Sequence, residues 1–255
     1  MAKLFFQVYG DPKLPKLVIL HGLLGSHRNW LTFAKEICNR YQVYLLDLRN
    51  HGSSEFSNTM TYEEMSGDIE KFAQIENLKT FDLMVHSMGG KVAMRFASDH
   101  PHFVNRLLII DIAPKIYKPH YYKMIQFLNG LNLSDFNHRK QLEDSISEIV
   151  KDWAFRQFLM TNIKRNNKSE FYWSINLPVV LSHMDSISEN PLEFGEIYKG
   201  STFFIIGSNS EFVKSSDHKQ IHLFYPFAKI LSIQGGHNLH IENKTGLMEL
   251  LDELH

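Results

Sequence analysis

Six short runs along the chain are apolar at nearly consecutive positions, at 16–20, 43–46, 81–85, 107–110, 203–206 and 230–233. A strand with one face in water alternates polar and apolar residues. A run apolar on both parities instead predicts a strand covered on both faces, as in a parallel sheet between layers of helices. The segments between the early runs change period. Trp30, Ala34, Ile37 and Cys38 share one helical face, and Val92, Ala93, Phe96 and Ala97 share another that Pro101 stops. Thr61 and Glu64 have capping-box spacing, and Met65, Ile69, Phe72 and Ala73 carry the stripe onward. Near the end Leu247, Leu250, Leu251 and Leu254 repeat the pattern. Alternating strands and helices predict right-handed βαβ units in an α/β fold. The segment 3–9 reads as an antiparallel edge strand.

The rhythm stops after Ala113-Pro114, and about 85 residues pass before the next buried-strand pattern at Thr202. A connection that long needs structure of its own. The division predicted is a core of residues 1–113 and 200–255, with a mostly helical cap, 114–199, inserted between two core strands. The insertion is rich in aromatic residues, among them Tyr117, Tyr121, Trp153, Phe155, Phe158 and Trp173. They suit either a small core of its own or the lining of a ligand pocket.

Composition narrows the function. Of 255 residues 44% are hydrophobic, which excludes a disordered or fibrous chain. Lys plus Arg is 27 and Asp plus Glu is 28, a formal charge of −1, so no nucleic-acid partner is expected. The densest basic stretch, 164–168, reads as a solvated loop. Cys38 is the sole cysteine, so no internal disulfide forms. No stretch approaches the ~18 apolar residues of a membrane span, and the start is too short an apolar run for a secretory signal. A cytoplasmic location is expected, and sequons at Asn132, Asn167 and Asn243 then carry no weight.

Four segments carry chemistry. In Phe81-Asp82-Leu83-Met84-Val85-His86-Ser87-Met88-Gly89-Gly90 a buried strand runs into a serine and a helix follows at once, the context of a nucleophile elbow. The helix N-terminus then faces the serine, and the Met88 N–H is available to an oxyanion. Val85 stands where this motif usually has glycine, and a β-branched residue there is expected to crowd the turn. The second segment, His21-Gly22-Leu23-Leu24-Gly25-Ser26, follows the 16–20 strand and supplies a second oxyanion donor, the Leu23 N–H. His21 reads as structural. The third, Gln234-Gly235-Gly236-His237-Asn238-Leu239-His240, offers His237 as the base that a serine needs. His240 reads as a polar contact or a surface residue; a metal site of His237 and His240 lacks accompanying ligands. The fourth is Asp111, which ends the 107–110 strand at the same sheet edge as Ser87 and suits the acid that orients a histidine. The chain order is Ser87, Asp111, His237, as expected of this motif.

These segments, with Asn29-Trp30, Asp47-Leu48-Arg49-Asn50-His51-Gly52-Ser53-Ser54 and Asp111-Ile112-Ala113-Pro114, resemble the α/β-hydrolases, and within them the small YbfF-type esterases and their mitochondrial relatives. The resemblance covers nearly the whole sequence. It implies a mostly parallel, doubly covered sheet of seven or eight strands with a helical cap. Many members carry the acid three residues after the Gly that ends the following strand; here that Gly is Gly207 and the third residue on is Ser210. The YbfF-type subgroup places its acid where Asp111 stands. Glu211 is the alternative acid.

The implied activity is hydrolysis of small to medium acyl esters or thioesters, with Ser87, His237 and Asp111 catalytic and with Leu23 and Met88 as oxyanion donors. No cofactor or metal is implied, and the partner is a small-molecule substrate. A C–C bond hydrolase or lyase on the same fold, and a non-catalytic binding protein, are the alternatives. Trp30 and Cys38 read as packing, Cys38 as a buried small residue on the first helix. The 50–52 loop reads as bracing for the site.

Overall fold

The computed structural model describes residues 1–119 and 121–254. In chain order the first half comprises β1 (Phe6–Tyr9), β2 (Lys16–Leu20), α1 (Leu31–Ile37), β3 (Gln42–Leu46), α2 (Tyr62–Ile75), β4 (Phe81–His86), α3 (Met88–Asp99) and β5 (Val104–Ile110). The insertion follows, as α4 (Tyr122–Gly130), α5 (Arg139–Ser147), α6 (Trp153–Met160), β6 (Ile163–Arg165), β7 (Phe171–Trp173) and α7 (Leu177–Ser182). The chain then returns to β8 (Thr202–Gly207), α8 (His218–Phe224), β9 (Lys229–Ile233), α9 (Leu239–Glu242) and α10 (Lys244–Glu253).

Seven strands form one sheet in the order β1-β3-β2-β4-β5-β8-β9. Only β1 is antiparallel, and it lies at the edge against β3. The sheet is the mostly parallel, doubly covered one that the apolar runs predict, and the parity of each strand shows why both faces had to be apolar. Val18, Leu20, Leu83, Val85, Leu107 and Ile109 pack into one core cluster with α2 and α3. Leu17, Ile19, Met84, Leu108 and Ile110 pack into a second with α1 and α10. Most are fully buried, so truncating one to alanine costs about 2–5 kcal/mol. The Thr61–Glu64 capping box forms as its spacing predicts: the Thr61 hydroxyl accepts from the Glu64 N–H, and the Glu64 carboxylate accepts from the Thr61 N–H at 3.1 Å.

Three local expectations change. α1 ends at Ile37, one residue short of Cys38. Cys38 is therefore half-exposed at the helix end, not a buried packing residue, and its thiol donates to the Lys35 carbonyl at 3.2 Å. The basic stretch at 164–168 is partly strand. β6 and β7 pair antiparallel from Ile163↔Trp173 to Arg165↔Phe171, with the turn between them. The insertion is thus helical with one small hairpin. Its apolar residues, Ile125, Leu128, Leu142, Ile146 and Leu159 among them, are continuous with the first core cluster and do not form a core apart. No helix among the described residues is long and apolar enough to cross a membrane.

Candidate active site

Parallel register determines what meets at one edge of this sheet. β2 pairs with β4 up to Leu20↔Val85, β4 with β5 up to His86↔Ile110, and β8 with β9 up to Gly207↔Ile233. The residues that follow each strand end, Gly22, Ser87, Asp111 and His237, therefore emerge side by side.

Ser87 joins β4 directly to α3 at φ 51°, ψ −121°, a left-handed torsion that side chains rarely adopt. Its N–H donates to the Ile110 carbonyl at 3.2 Å, and its carbonyl accepts from the Gly90 N–H at 2.8 Å. Strain of this kind persists only where surrounding packing over-determines it, and here glycines let that packing approach. A Cβ on Gly89 would lie 2.5 Å from the His21 carbonyl oxygen, and one on Gly22 would lie 3.1 Å from the Ser87 Cβ. Val85 does not crowd the turn. Its side chain is buried in the core cluster, and the β4–β5 ladder runs on without interruption to His86.

Asp111 also follows its strand at a left-handed φ, 52°, and is completely buried. Its Oδ1 accepts from the Gly207 N–H at 3.1 Å. Its Oδ2 accepts from the Ser210 hydroxyl and lies 2.7 Å from His237 Nδ1. A carboxylate on Nδ1 selects the Nδ1–H tautomer and leaves Nε2 with the lone pair. Ser210, the alternative acid position of the sequence reading, thus donates to the Asp111 carboxylate. Glu211 is solvent-exposed and paired with Lys214 at 2.7 Å, and Asp217 pairs with Lys115. Neither reaches the histidine.

His237 is held from three directions. Phe212 stacks on its ring with centroids 3.6 Å apart and 13° between planes. The same loop carries Ser210, whose oxygen accepts from the Phe212 N–H at 3.2 Å. His86, the residue before Ser87, donates from Nε2 to the His237 carbonyl at 2.8 Å, with ring centroids 4.6 Å apart. Burial lowers the His86 pKa well below the ordinary imidazole value, with the neighbouring His237 and His240 adding to the effect. A neutral His86 can donate this bond without placing a cation beside His237. His240 is buried rather than superficial. It stacks on Trp30 at 4.5 Å, and burial brings its pKa down to about 3. No group of three or more potential metal ligands gathers among the described residues.

The loop carrying Leu23 is braced by two neutral histidines. His21 is buried and donates from Nδ1 to the Gly22 carbonyl at 2.8 Å, while its Nε2 accepts from the Leu48 N–H at 3.0 Å. His51 donates from Nδ1 to the Arg49 carbonyl and accepts the Leu24 N–H at 3.2 Å on Nε2. Burial carries the His51 pKa down to about 3. Leu24 itself sits at φ 60°. Met88 opens α3, so its N–H has no partner within the helix.

Beside Ser87 a pocket is lined by Leu23, Met88, Ile112, Tyr117, Ile187 and Phe212, mixing core and insertion residues. Lys91 also borders it, one helical turn beyond Ser87. Four members of this environment escape a sequence reading: His86, Lys91, Ser210 and Phe212. Lys91 is hidden because α3 is buried from Met88 to Ala97 on every face, so no polar stripe sets it apart. Ser210 and Phe212 lie in a loop whose path no periodicity encodes.

Known proteins resemble this chain over most or all of its length. The sn-1-specific diacylglycerol lipase ABHD11 of Danio rerio is 36% identical over 235 residues, which span 89% of this chain and 74% of that one. The protein of the same name from Mus musculus is 35% identical over 249 residues, 94% of this chain and 80% of its own. Among solved structures, a marine microorganism esterase superposes with a TM-score of 0.93 at 32% identity, covering 100% of this chain and 99% of that one. A sequence model of the alpha/beta hydrolase fold matches residues 15–244. With the sheet order, the strained serine turn and this match together, the chain belongs to the α/β-hydrolase family.

Proposed function

We propose that this chain is a serine hydrolase that cleaves small to medium acyl esters or thioesters through an acyl-enzyme. The observation that carries the reading is the buried Asp111 on His237 Nδ1, at the sheet edge where Ser87 is held in its strained turn. In this reading His237 Nε2 removes the Ser87 hydroxyl proton as Oγ attacks the acyl carbonyl. The carbonyl oxygen takes the negative charge and accepts from the Leu23 and Met88 N–H groups, reinforced by the N-terminus of α3. Collapse of the adduct breaks the bond to the alcohol or thiol, and His237 returns the proton to that leaving group. Water, deprotonated by the same nitrogen, then releases the acid. Asp111 keeps the imidazole oriented and stabilises the imidazolium formed twice in the cycle. No step calls for a metal or cofactor.

The reading assigns the chemistry to residues 1–113 and 200–255 and acyl recognition to the cap, 114–199. Its support is the apolar pocket at Ser87, which the two parts share. The names of the relatives agree with it: two are diacylglycerol lipases and one structure is an esterase.

The test is hydrolysis of p-nitrophenyl esters from acetyl to long acyl by the wild type and Ser87→Ala. A loss of roughly 10⁴-fold or more in the variant, with an unchanged melting curve, is expected. Equal rates in the two proteins would overturn the assignment. The chain-length optimum measures the acyl pocket.

A further inference from the structure

We propose that Lys91 is the specificity-determining residue of this pocket: its side chain ties the turn at 188–189 and the Tyr117 ring to the nucleophile helix as one wall, and so sets which acyl chain reaches Ser87. The proposal rests on the serine-hydrolase reading of the site. Lys91 is 2% exposed, yet among the described residues no carboxylate lies within ion-pair distance of its Nζ. Its donors go instead to the main chain at the end of the insertion, to the Ser188 carbonyl at 2.9 Å and the Glu189 carbonyl at 2.5 Å. The ammonium lies 4.9 Å from the centre of the Tyr117 ring and 5.7 Å from that of Tyr62. Tyr117, Ile187 and Ser188 all line the pocket, so one cation holds both sides of a wall. The backbone of Lys91 is in turn bonded to the nucleophile, its N–H donating to the Ser87 carbonyl at 3.3 Å.

A buried ammonium between carbonyls and aromatic faces is a strong tether only while charged. Charge-assisted bonds are about twice as strong as neutral ones, and the cation–π contacts vanish on deprotonation. The groups that face it are few. From the insertion end comes Glu189, which favours the charge; Lys115 opposes it and is itself paired with Asp217. The Tyr62 hydroxyl is engaged with the Ile187 carbonyl and the Tyr117 hydroxyl with the Phe212 carbonyl. Lys118 lies on the pocket rim. Burial outweighs the rest and brings the Lys91 pKa down to about 7. Below that pH the wall is held; above it the wall loosens and the pocket admits longer chains.

The experiment is the ratio of kcat/KM for a long and a short p-nitrophenyl ester, followed from pH 6 to 8. A pH effect on the chemical step common to both substrates cancels in the ratio. The ratio is expected to rise about five- to tenfold through pH 7 in the wild type. In Lys91→Arg, charged throughout, it stays flat at the low-pH value; in Lys91→Met it stays flat at the high-pH value. A wild-type ratio that does not move, or a Met variant that keeps the wild-type step, overturns the proposal. If no ester is hydrolysed at all, the hydrolase reading has failed. The wall is then read without turnover, from dissociation constants of butanone and a long-chain alkyl methyl ketone across the same pH range. A flat ratio there also overturns it.

Discussion

The sheet edge that carries Ser87 and the insertion that covers it are held together by different forces. At the edge Ser87, Asp111 and His237 each follow a strand whose ladder is fixed by parallel pairing, and two of the three, Ser87 and Asp111, stand in left-handed torsions. Beneath them β4 and β8 are buried throughout and β5 over its last four residues, while β9 at the sheet's end is partly exposed. The insertion packs on the same core cluster, but its aromatic side chains are largely half-buried, and Trp153 is 66% exposed. Beyond that packing and the short main-chain bridge His51↔Ile175, single side chains anchor it to the core: Lys91 on 188–189, Tyr62 on Ile187, and Asn162 on the Leu24 carbonyl at 2.8 Å. A rigid ladder can hold geometry to fractions of an ångström, as proton transfer demands. Packing supplemented by a few side-chain tethers holds a surface that can adapt, as the proposed acyl recognition would allow. Damage to the edge should therefore appear in kcat and damage to the tethers in KM.

The largest expected effect tests the first half of that contrast. Asp111→Asn keeps the shape but favours the wrong His237 tautomer, and should lower kcat about 10⁴-fold with little change in KM. Steady-state kinetics decide it, and a loss under tenfold would deny Asp111 its role.

Next comes the acid limit of the core. His51 and His240 are both buried with folded pKa values of about 3, below the ~6.5 of an unfolded histidine. The unfolded chain therefore binds more protons between these values, and stability falls as pH drops below 6.5. At pH 5 each histidine should cost about 2 kcal/mol relative to pH 8. Denaturant melts at both pH values measure this, and His51→Gln should recover part of the loss. An acid-insensitive midpoint would contradict neutral, buried imidazoles.

A subtler test is Ser210→Ala, which removes the hydroxyl from Asp111 and the acceptor from the Phe212 N–H. A drop of about tenfold in kcat is expected, corresponding to one hydrogen bond to a charged group. The smallest effect is reserved for a tether. Tyr62→Phe leaves the Ile187 carbonyl unpaired and should lower stability by about 1 kcal/mol while raising KM more than it lowers kcat. A pure kcat effect would mean that the insertion helps hold the catalytic geometry after all.

Much of the core is legible in the order of residues because its signals are local. Continuous apolar runs demand two covering layers, and two covering layers with crossover helices demand a parallel sheet. Strand ends marked by Ser87 and Asp111 point to one edge once the strands are parallel, which is why three residues far apart in sequence could be grouped in advance. The same logic is silent for loops. Nothing in Ser210-Glu211-Phe212 tells that the serine bonds Asp111, that the glutamate points to solvent, and that the phenylalanine lies flat on His237. Nor does the helical pattern of α3 reveal Lys91, because amphipathic reasoning presumes a wet face and this helix has none.

The sequence by itself therefore determined the sheet, its covering helices, the serine turn and the candidates that gather around it. These follow from periodicity and from torsions that only short-range context can impose. Only the tertiary structure decided which of the described histidines are buried braces and what holds the Asp111 carboxylate. It also decided how the insertion closes over the pocket. These depend on contacts between segments up to about 150 residues apart, such as His86 with His237, whose partners are chosen by packing and desolvation once the sheet has formed.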